Sequence, residues 1–321
     1  MFPAFEFDLE IIKTTGDKLQ TASMSNPDAS LPKGLFTKEL EVALLEGKAD
    51  IAVHSLKDLP TDLPEGLTLG AVAPRADVRD VMVYRAKPAA NAPKPAAPAD
   101  WSPGSRTPFS GTPFCGLRGL PVGAVVATNS TRRAAQVTLA RPDIKIVPIR
   151  GNVGTRLGKI ANDPEIDATL LAAAGLVRLW LDIGPRGDLR VDPRLTAAER
   201  ASVTAPPEGL YATLMDPDEM LPAVGQGAVA LEIRSGDPEV AALCQLLNHP
   251  NTYYAVTAER AFLKAMGGGC QSPVAAYARV LGHQVDLRAA SFREGAAKRA
   301  SGRRAVREAA ALGESLAEQL R

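Results

Sequence analysis

Apolar and polar positions along the 321-residue chain alternate in short blocks that read as strands and helices in turn. Residues 7–13 alternate as one strand, and Thr14-Thr-Gly-Asp17 reads as the turn that closes it. The stretch 18–33 is polar and irregular. Residues 36–46 place Leu40, Ala43 and Leu44 on one helical face, with Gly47 as the C-cap. A short apolar run at 51–53 predicts a buried strand. It ends in a polar burst of His54, Ser55, Lys57 and Asp58 before Pro60 stops regular structure. Two more short strands are expected at 67–73 and 81–84.

The pattern then breaks. Residues 86–121 hold eight of the chain's 26 prolines, a composition that buries too little apolar surface to offset its ordering entropy. This Pro/Ala-rich stretch is expected to be a linker or surface insertion at a domain boundary. Alternation resumes at 122, with strands at 125–127, 145–149 and 168–172 and helices at 131–139, 153–161 and around Arg178. Strand alternating with helix at this spacing predicts parallel strands in a doubly wound sheet. Residues 184–219 are expected to form a second irregular insertion. The glycine-bearing turn Leu221-Pro-Ala-Val-Gly-Gln-Gly227 leads into a strand reaching Ile233, followed by helices at 237–247 and 252–266. After the loop 267–273, residues 274–280 and 284–290 alternate as an antiparallel hairpin, and a helix at 305–320 closes the chain. That order suggests a smaller third domain.

Composition sets limits. Hydrophobic residues make up 45% and charged residues 23%, ordinary for a soluble globular protein long enough for two or three domains. A net charge of +1 gives no general attraction to nucleic acid or to an anionic membrane. No apolar run approaches the ~20 residues of a membrane span. The early acids Glu6 and Asp8 do not suit a secretory signal. Cys115, Cys244 and Cys270 are too scattered for a disulfide framework or zinc site, so a reducing cytoplasm and no metal are expected.

In open α/β sheets, ligands bind beyond the carboxyl ends of the strands. Lys57 and Asp58, delivered at such an end, form a candidate site, although a solvated turn with a surface ion pair has the same sequence pattern. Arg132, Arg133, Arg150, Arg156 and Arg178 recur at strand ends and first helical turns, where helix N-termini favour anions. Arginine recognises carboxylate or phosphate in a bidentate manner. The set therefore points to a substrate with several such groups, or else is an ordinary solvated face. No aromatic residues are interleaved for base stacking, which argues against nucleic acid. The glycines at 150–156 and 224–228 match neither a dinucleotide fingerprint nor a P-loop. Cys270 follows three glycines, so it is either an inert buried thiol or a sulfur left open for a large group to become attached.

Six segments occur in one order across most of the chain: Lys33-Gly-Leu-Phe-Thr-Lys-Glu39, Ala52-Val-His-Ser-Leu-Lys-Asp-Leu-Pro60, Thr128-Asn-Ser-Thr-Arg-Arg133, Arg150-Gly-Asn-Val-Gly-Thr-Arg156, Leu221-Pro-Ala-Val-Gly-Gln-Gly227 and Gly268-Gly-Cys-Gln271. Together they resemble the porphobilinogen deaminase (hydroxymethylbilane synthase) family. The resemblance implies an α/β protein of two doubly wound, periplasmic-binding-protein-like domains plus a smaller C-terminal α+β domain. Residues 1–85 and 228–245 would form domain 1, 122–227 domain 2 and 246–321 domain 3. Family members carry a strand with an Arg-x-Ser motif and a helix before the Thr-Thr-Gly-Asp turn; this sequence does not, so domain 1 is expected to be N-terminally incomplete.

The resemblance also implies a transferase that joins four porphobilinogen molecules head to tail on a dipyrromethane linked to Cys270. Asp58 matches the catalytic aspartate. Lys57, Ser55, Thr128, Asn129, Ser130, Arg132, Arg133, Arg156 and Gln226 match cofactor-binding positions. Arg150, Arg156, Arg178, Lys33 and Phe36 match substrate-binding positions. A cytoplasmic monomer with no membrane or nucleic-acid partner is expected. Two alternatives remain open from the residues: a non-catalytic organic-anion-binding module of the same two-domain fold, and an inactive, truncated relative.

Overall fold

The computed structural model describes residues 5–16, 36–85, 115–269 and 272–321. Three larger sheets and one two-stranded sheet organise these residues. In the first, β1 (Ala52–Ser55) and β2 (Leu67–Val72) flank β10 (Val229–Arg234), which runs antiparallel to both. The helix α1 (Lys38–Leu45) packs Leu44 against Ala52 and Leu67 at one end of this sheet. Gly47 closes that helix with φ of 69°, as its position implied.

The second sheet has the order β5–β4–β6–β3–β9. Its strands are β3 (Asp80–Arg85), β4 (Val125–Ala127), β5 (Lys145–Val147), β6 (Ala168–Ala172) and β9 (Leu210–Leu214). Helices α2 (Thr131–Ala140) and α3 (Val153–Asn162) lie between β4, β5 and β6 in the chain, and those three strands are parallel. Both faces of the sheet are covered. Met82 and Tyr84 of β3 pack with Val126, Val137 and Leu170 on one side. Val81 and Val83 pack with Leu157, Ile160 and Leu171 on the other. A strand buried on both faces reads as a continuous apolar run, which is why 81–84 stood out.

Several expectations need correction. The second sheet is mixed rather than parallel throughout, because β3 runs antiparallel to both β6 and β9, and neighbouring strands of the first and third sheets pair antiparallel. The chain crosses from the first sheet to the second through residues 73–79 and returns before β10, so β3 and β9 belong to the outgoing and returning passages. Strand β3 thus joins the second sheet, although the span 1–85 also supplies β1 and β2 to the first. Residues 184–219 are not irregular. They hold β8 (Leu189–Val191), which pairs with β7 (Leu181–Ile183), then α5 (Ala197–Ser202) and β9. In β9 the buried Leu210 and Ala212 alternate with half-buried Tyr211 and Thr213, a pattern hidden by polar and proline-rich flanks. Of the stretch 86–121, residues 86–114 lie outside the described set; Cys115, Leu117 and Leu120 are buried in the core of the second sheet. Residues 7–13 form no strand among the described residues, since alternation yields a strand only where another backbone completes the ladder. Thr15 instead donates through its backbone amide and hydroxyl to Glu39 of α1, at 2.8 and 2.5 Å.

After β10, helix α6 (Pro238–Leu247) packs on the first sheet. The third sheet is a meander of β11 (Val274–Leu281), β12 (Gln284–Ser291) and β13 (Lys298–Ala305). The third strand escaped the sequence pattern because Lys298, Arg299, Arg303 and Arg304 are exposed on a sheet edge. The last helix, α8 (Ala309–Leu320), therefore starts later than expected. It joins α7 (Pro250–Ala265) over this sheet around Phe262, Leu287, Leu312 and Leu316.

The return passage folds back over the end of β1. Gly225 has φ of 71°, and a Cβ there would lie 3.1 Å from the Lys57 amide nitrogen. Gly227 has φ of 80°, and a Cβ there would lie 2.7 Å from the Ala76 carbonyl oxygen. A side chain fits neither place. Gly227→Ala is expected to destabilise the chain by roughly 1–3 kcal/mol, measured by urea unfolding, whereas an unchanged midpoint would show that the crossing can relax.

Candidate active site

Strand β1 ends in a single 3-10 turn, Leu56–Asp58. Leu56 and Leu59 are buried against Val72, Ala228 and Val256, and the Leu56 amide donates to the Ala228 carbonyl at 3.0 Å. These two leucines act as pegs on either side of the polar pair. Between them Lys57 is half-buried and Asp58 is exposed. Just before the turn, buried His54 contacts buried Glu232 of β10 through Nε2, at 2.9 Å.

Across from this turn, β4 hands the chain to α2. Ser130 caps the helix by accepting from the Arg133 amide, and its own amide donates to Thr128 Oγ1 at 3.1 Å. Asn129 Oδ1 accepts from the Ile149 amide at 2.6 Å. Thr128, Asn129 and Ser130 therefore shape the turn that aims the next two side chains. Arg132 and Arg133 follow in the first helical turn, and both are buried. Cations there oppose the helix dipole, so a nearby anion is required.

Asp80, the first residue of β3, supplies it. Arg132 Nη1 donates to Asp80 Oδ2 and to the Leu221 carbonyl, each at 2.7 Å. Arg133 donates to Asp80 Oδ1 through Nε at 3.0 Å and Nη2 at 2.6 Å, and to the Leu170 carbonyl through Nη1 at 2.9 Å. Gln226 Nε2 donates to Asp80 Oδ1 at 3.1 Å and to the Val78 carbonyl at 2.8 Å. Burial by itself raises the Asp80 pKa, but the charges and hydrogen bonds of Arg132 and Arg133 outweigh it and hold the carboxyl well below the usual range.

Lys57 belongs to the same cluster. Burial lowers its pKa; Asp58 opposes that shift, Arg133 and Arg132 add to it, and Asp80 opposes it. Arg156, in the first turn of α3, is held by the Gly151 carbonyl through Nε at 2.8 Å. Burial, and then the like charge of Arg133, lowers its pKa as well. The structure thus brings Lys57, Arg132, Arg133, Arg156 and Gln226 together. Arg150 is half-buried at the end of the β5 loop, and Arg178 is exposed at the end of α4 (Ala173–Arg178); neither is hydrogen-bonded to the cluster among the described residues. Ser55 is half-buried at the end of β1. Phe36 is 39% exposed, with its ring against Gly16. Lys33 and Cys270 lie outside the described residues.

Asp80, Arg75 and Glu259 are the residues that sequence reasoning passed over. Arg75 forms a two-pronged ion pair with fully buried Glu259, at 2.7 and 3.0 Å, and donates to the Gln226 carbonyl at 2.9 Å. Glu259 also accepts from the Gly225 amide at 2.8 Å and the Ala278 amide at 2.7 Å. Both crossings and the third sheet meet on that one carboxylate. The only available signal for Asp80 was the arginine cluster itself, which needed a counter-ion.

The fold and the cluster define an α/β protein with a buried, basic cluster gathered around Asp80. The comparisons with known proteins agree. The model described as "Porphobilinogen deaminase, dipyromethane cofactor binding domain" matches residues 3–242, and "Porphobilinogen deaminase, C-terminal domain" matches residues 253–321. Porphobilinogen deaminase of Moorella thermoacetica is 42% identical over 279 residues, covering 87% of this chain and 71% of the relative. That of Thermus thermophilus is 40% identical over 279 residues, covering 87% and 72%. That of Pelobacter propionicus is 38% identical over 323 residues, covering 99% and 85%. Among solved structures, an ABC transporter from Parabacteroides distasonis aligns at 12% identity with a TM-score of 0.32, covering 78% of this chain and 69% of that one, too loose to carry an argument. The chain belongs to the porphobilinogen deaminase family.

The family's dipyrromethane fits the residues present. A group bearing carboxylates suits the cluster of Lys57, Arg132, Arg133 and Arg156, and two buried polar atoms there, Arg132 Nε and Gln226 Oε1, have no hydrogen-bond partner among the described residues. They provide a donor and an acceptor for such a ligand.

Two consequences can be measured. Glu259→Ala strands Arg75 and two backbone amides, so a loss of about 3–5 kcal/mol in unfolding free energy is expected. The Asp80 pKa is depressed in the fold, so its contribution is fully present above the ordinary value of 3.8 and is lost as pH falls towards its folded value. Stability should therefore decline below about pH 4, and an Asp80→Asn chain should show a shallower acid decline in circular dichroism titrations.

Proposed function

We propose that this chain catalyses the family's reaction, the stepwise head-to-tail condensation of four porphobilinogen molecules into hydroxymethylbilane for tetrapyrrole (porphyrin and haem) biosynthesis. The observation that carries the reading is the carboxylate of Asp58, exposed beside a basic cluster, in a chain that matches the cofactor-binding domain of the family. Porphobilinogen carries acetate and propionate groups, which gives the cluster its ligand chemistry.

In each cycle the aminomethyl C–N bond of porphobilinogen breaks and ammonia leaves. A C–C bond then forms to the free α-carbon of the acceptor pyrrole, which gives up its proton. Water releases the finished chain. When bound, the dipyrromethane supplies the first acceptor carbon and the tether. Cys270 would hold it through a thioether, with Arg132, Arg133, Arg156, Lys57 and Gln226 taking its polar groups. Ser55, Thr128, Asn129 and Ser130 shape and line the same end. Asp58 stabilises the cation left when the amino group departs and takes part in proton transfer at the pyrrole nitrogens. Arg150, Arg178, Lys33 and Phe36 are assigned to the incoming substrate.

We further assign three domains, one around each of the three larger sheets, and a cytoplasmic, monomeric enzyme that needs neither nucleic acid nor membrane. Among the described residues no helix is long and apolar enough to cross a membrane. Neither a bare anion-binding module nor an inactive relative is favoured.

Intact-mass measurement after expression in a host that makes porphobilinogen is expected to show the added mass of a dipyrromethane, absent in Cys270→Ser. An unmodified chain that turns over no porphobilinogen would refute the reading. Asp58→Ala should keep the added mass and lose about 10²–10⁴ in turnover; near-normal rates would remove Asp58 from the chemistry.

A further inference from the structure

Asp80 is fully buried behind the two arginines and yet accepts four hydrogen bonds, from Arg132 Nη1, Arg133 Nε, Arg133 Nη2 and Gln226 Nε2. We propose that Asp80 is a positioning residue and an internal counter-anion for carboxylate recognition, aiming Arg132 and Arg133 while sharing them with the bound ligand. This rests on the reading that organic carboxylates bind at those two arginines.

Three observations support the assignment. First, the orientation of both guanidiniums is set from behind. Each is fixed by Asp80 and by one further carbonyl, that of Leu221 for Arg132 and of Leu170 for Arg133. A bidentate partner needs such a fixed plane, and the pair reaches the ligand already ordered. Second, the charge of Arg133 reaches both Lys57 and Arg156 and lowers the pKa of each, so the cluster repels itself unless an anion is enclosed. Third, Asp80 Oδ1 also holds Gln226 of the return passage, whose amide reaches back to Val78 of the outgoing one. The arginines and the two crossings thus share one anchor.

The consequence concerns turnover. A ligand carboxylate meets guanidiniums that are partly neutralised, so it is held less tightly than bare arginines would hold it. A polyanion that must advance between condensations benefits from that weaker grip, because ground-state binding that is too strong lowers the rate. Asp80 itself contacts neither substrate nor cofactor in this scheme.

Asp80→Asn tests the charge with little change of shape. Calorimetric titration with porphobilinogen and steady-state assays on the purified, cofactor-loaded chain are expected to show affinity tightened about tenfold, with KM and kcat both reduced. A purely structural role would leave the folded fraction with unchanged affinity and KM, and equal or weaker binding overturns the proposal. If Asp80→Asn does not fold, Asp80→Glu keeps the charge but displaces the carboxylate by one methylene. It is then expected to weaken porphobilinogen binding about fivefold, with wild-type affinity counting as refutation. Failure of the wild-type chain to bind porphobilinogen would instead remove the functional reading on which this inference rests.

Discussion

The polar end of this molecule depends on one buried carboxylate facing two buried guanidiniums. Arg132 and Arg133 sit in the first turn of a helix, where the backbone dipole disfavours them, and both are nearly sealed from water. Unpaired, two such charges are prohibitive inside a protein. Asp80 makes them admissible, and its fully buried position is admissible only because of them. Each side of the cluster offsets the burial cost of the other. The arrangement keeps strong donors ordered at the polar end of the molecule.

A second carboxylate does related work for the chain as a whole. Glu259, on a helix of the third sheet's layer, takes Arg75 from the outgoing crossing, Gly225 from the return crossing and Ala278 from β11. The Arg75 guanidinium also lies 5.7 Å above the Tyr277 ring. The position of the third sheet relative to the crossings is thereby defined by directional polar contacts as well as by packing around Phe262 and Leu316. Asp58 stands at the edge of this framework, between the buried Leu56 and Leu59.

Much of this was legible along the chain, and the gaps share a cause. The polar burst at the end of β1 was visible because apolar 51–53 gives way abruptly to Lys57 and Asp58. Arg132, Arg133 and Arg156 were visible because cations at strand ends and first helical turns are unusual. Asp80 was not, because it stands 52 positions from Arg132 and looks locally like the polar start of an apolar strand. Arg75 and Glu259 lie 184 positions apart and carry no local mark at all. Strands β9 and β13 were missed for a related reason: β9 owes its state to pairing with β3, and β13 to pairing with β12.

By itself the sequence determined the α/β class, most helices, the run of buried strands and the set of basic residues with Asp58 among them. Those features depend on local periodicity, capping and residue chemistry, which act over a few positions. Tertiary structure alone decided which strands run antiparallel, which acids neutralise which arginines, and how the two crossings lock against the third sheet. Such choices depend on contacts between residues far apart in the chain, where burial makes every charge find a partner and every strand find a neighbouring backbone.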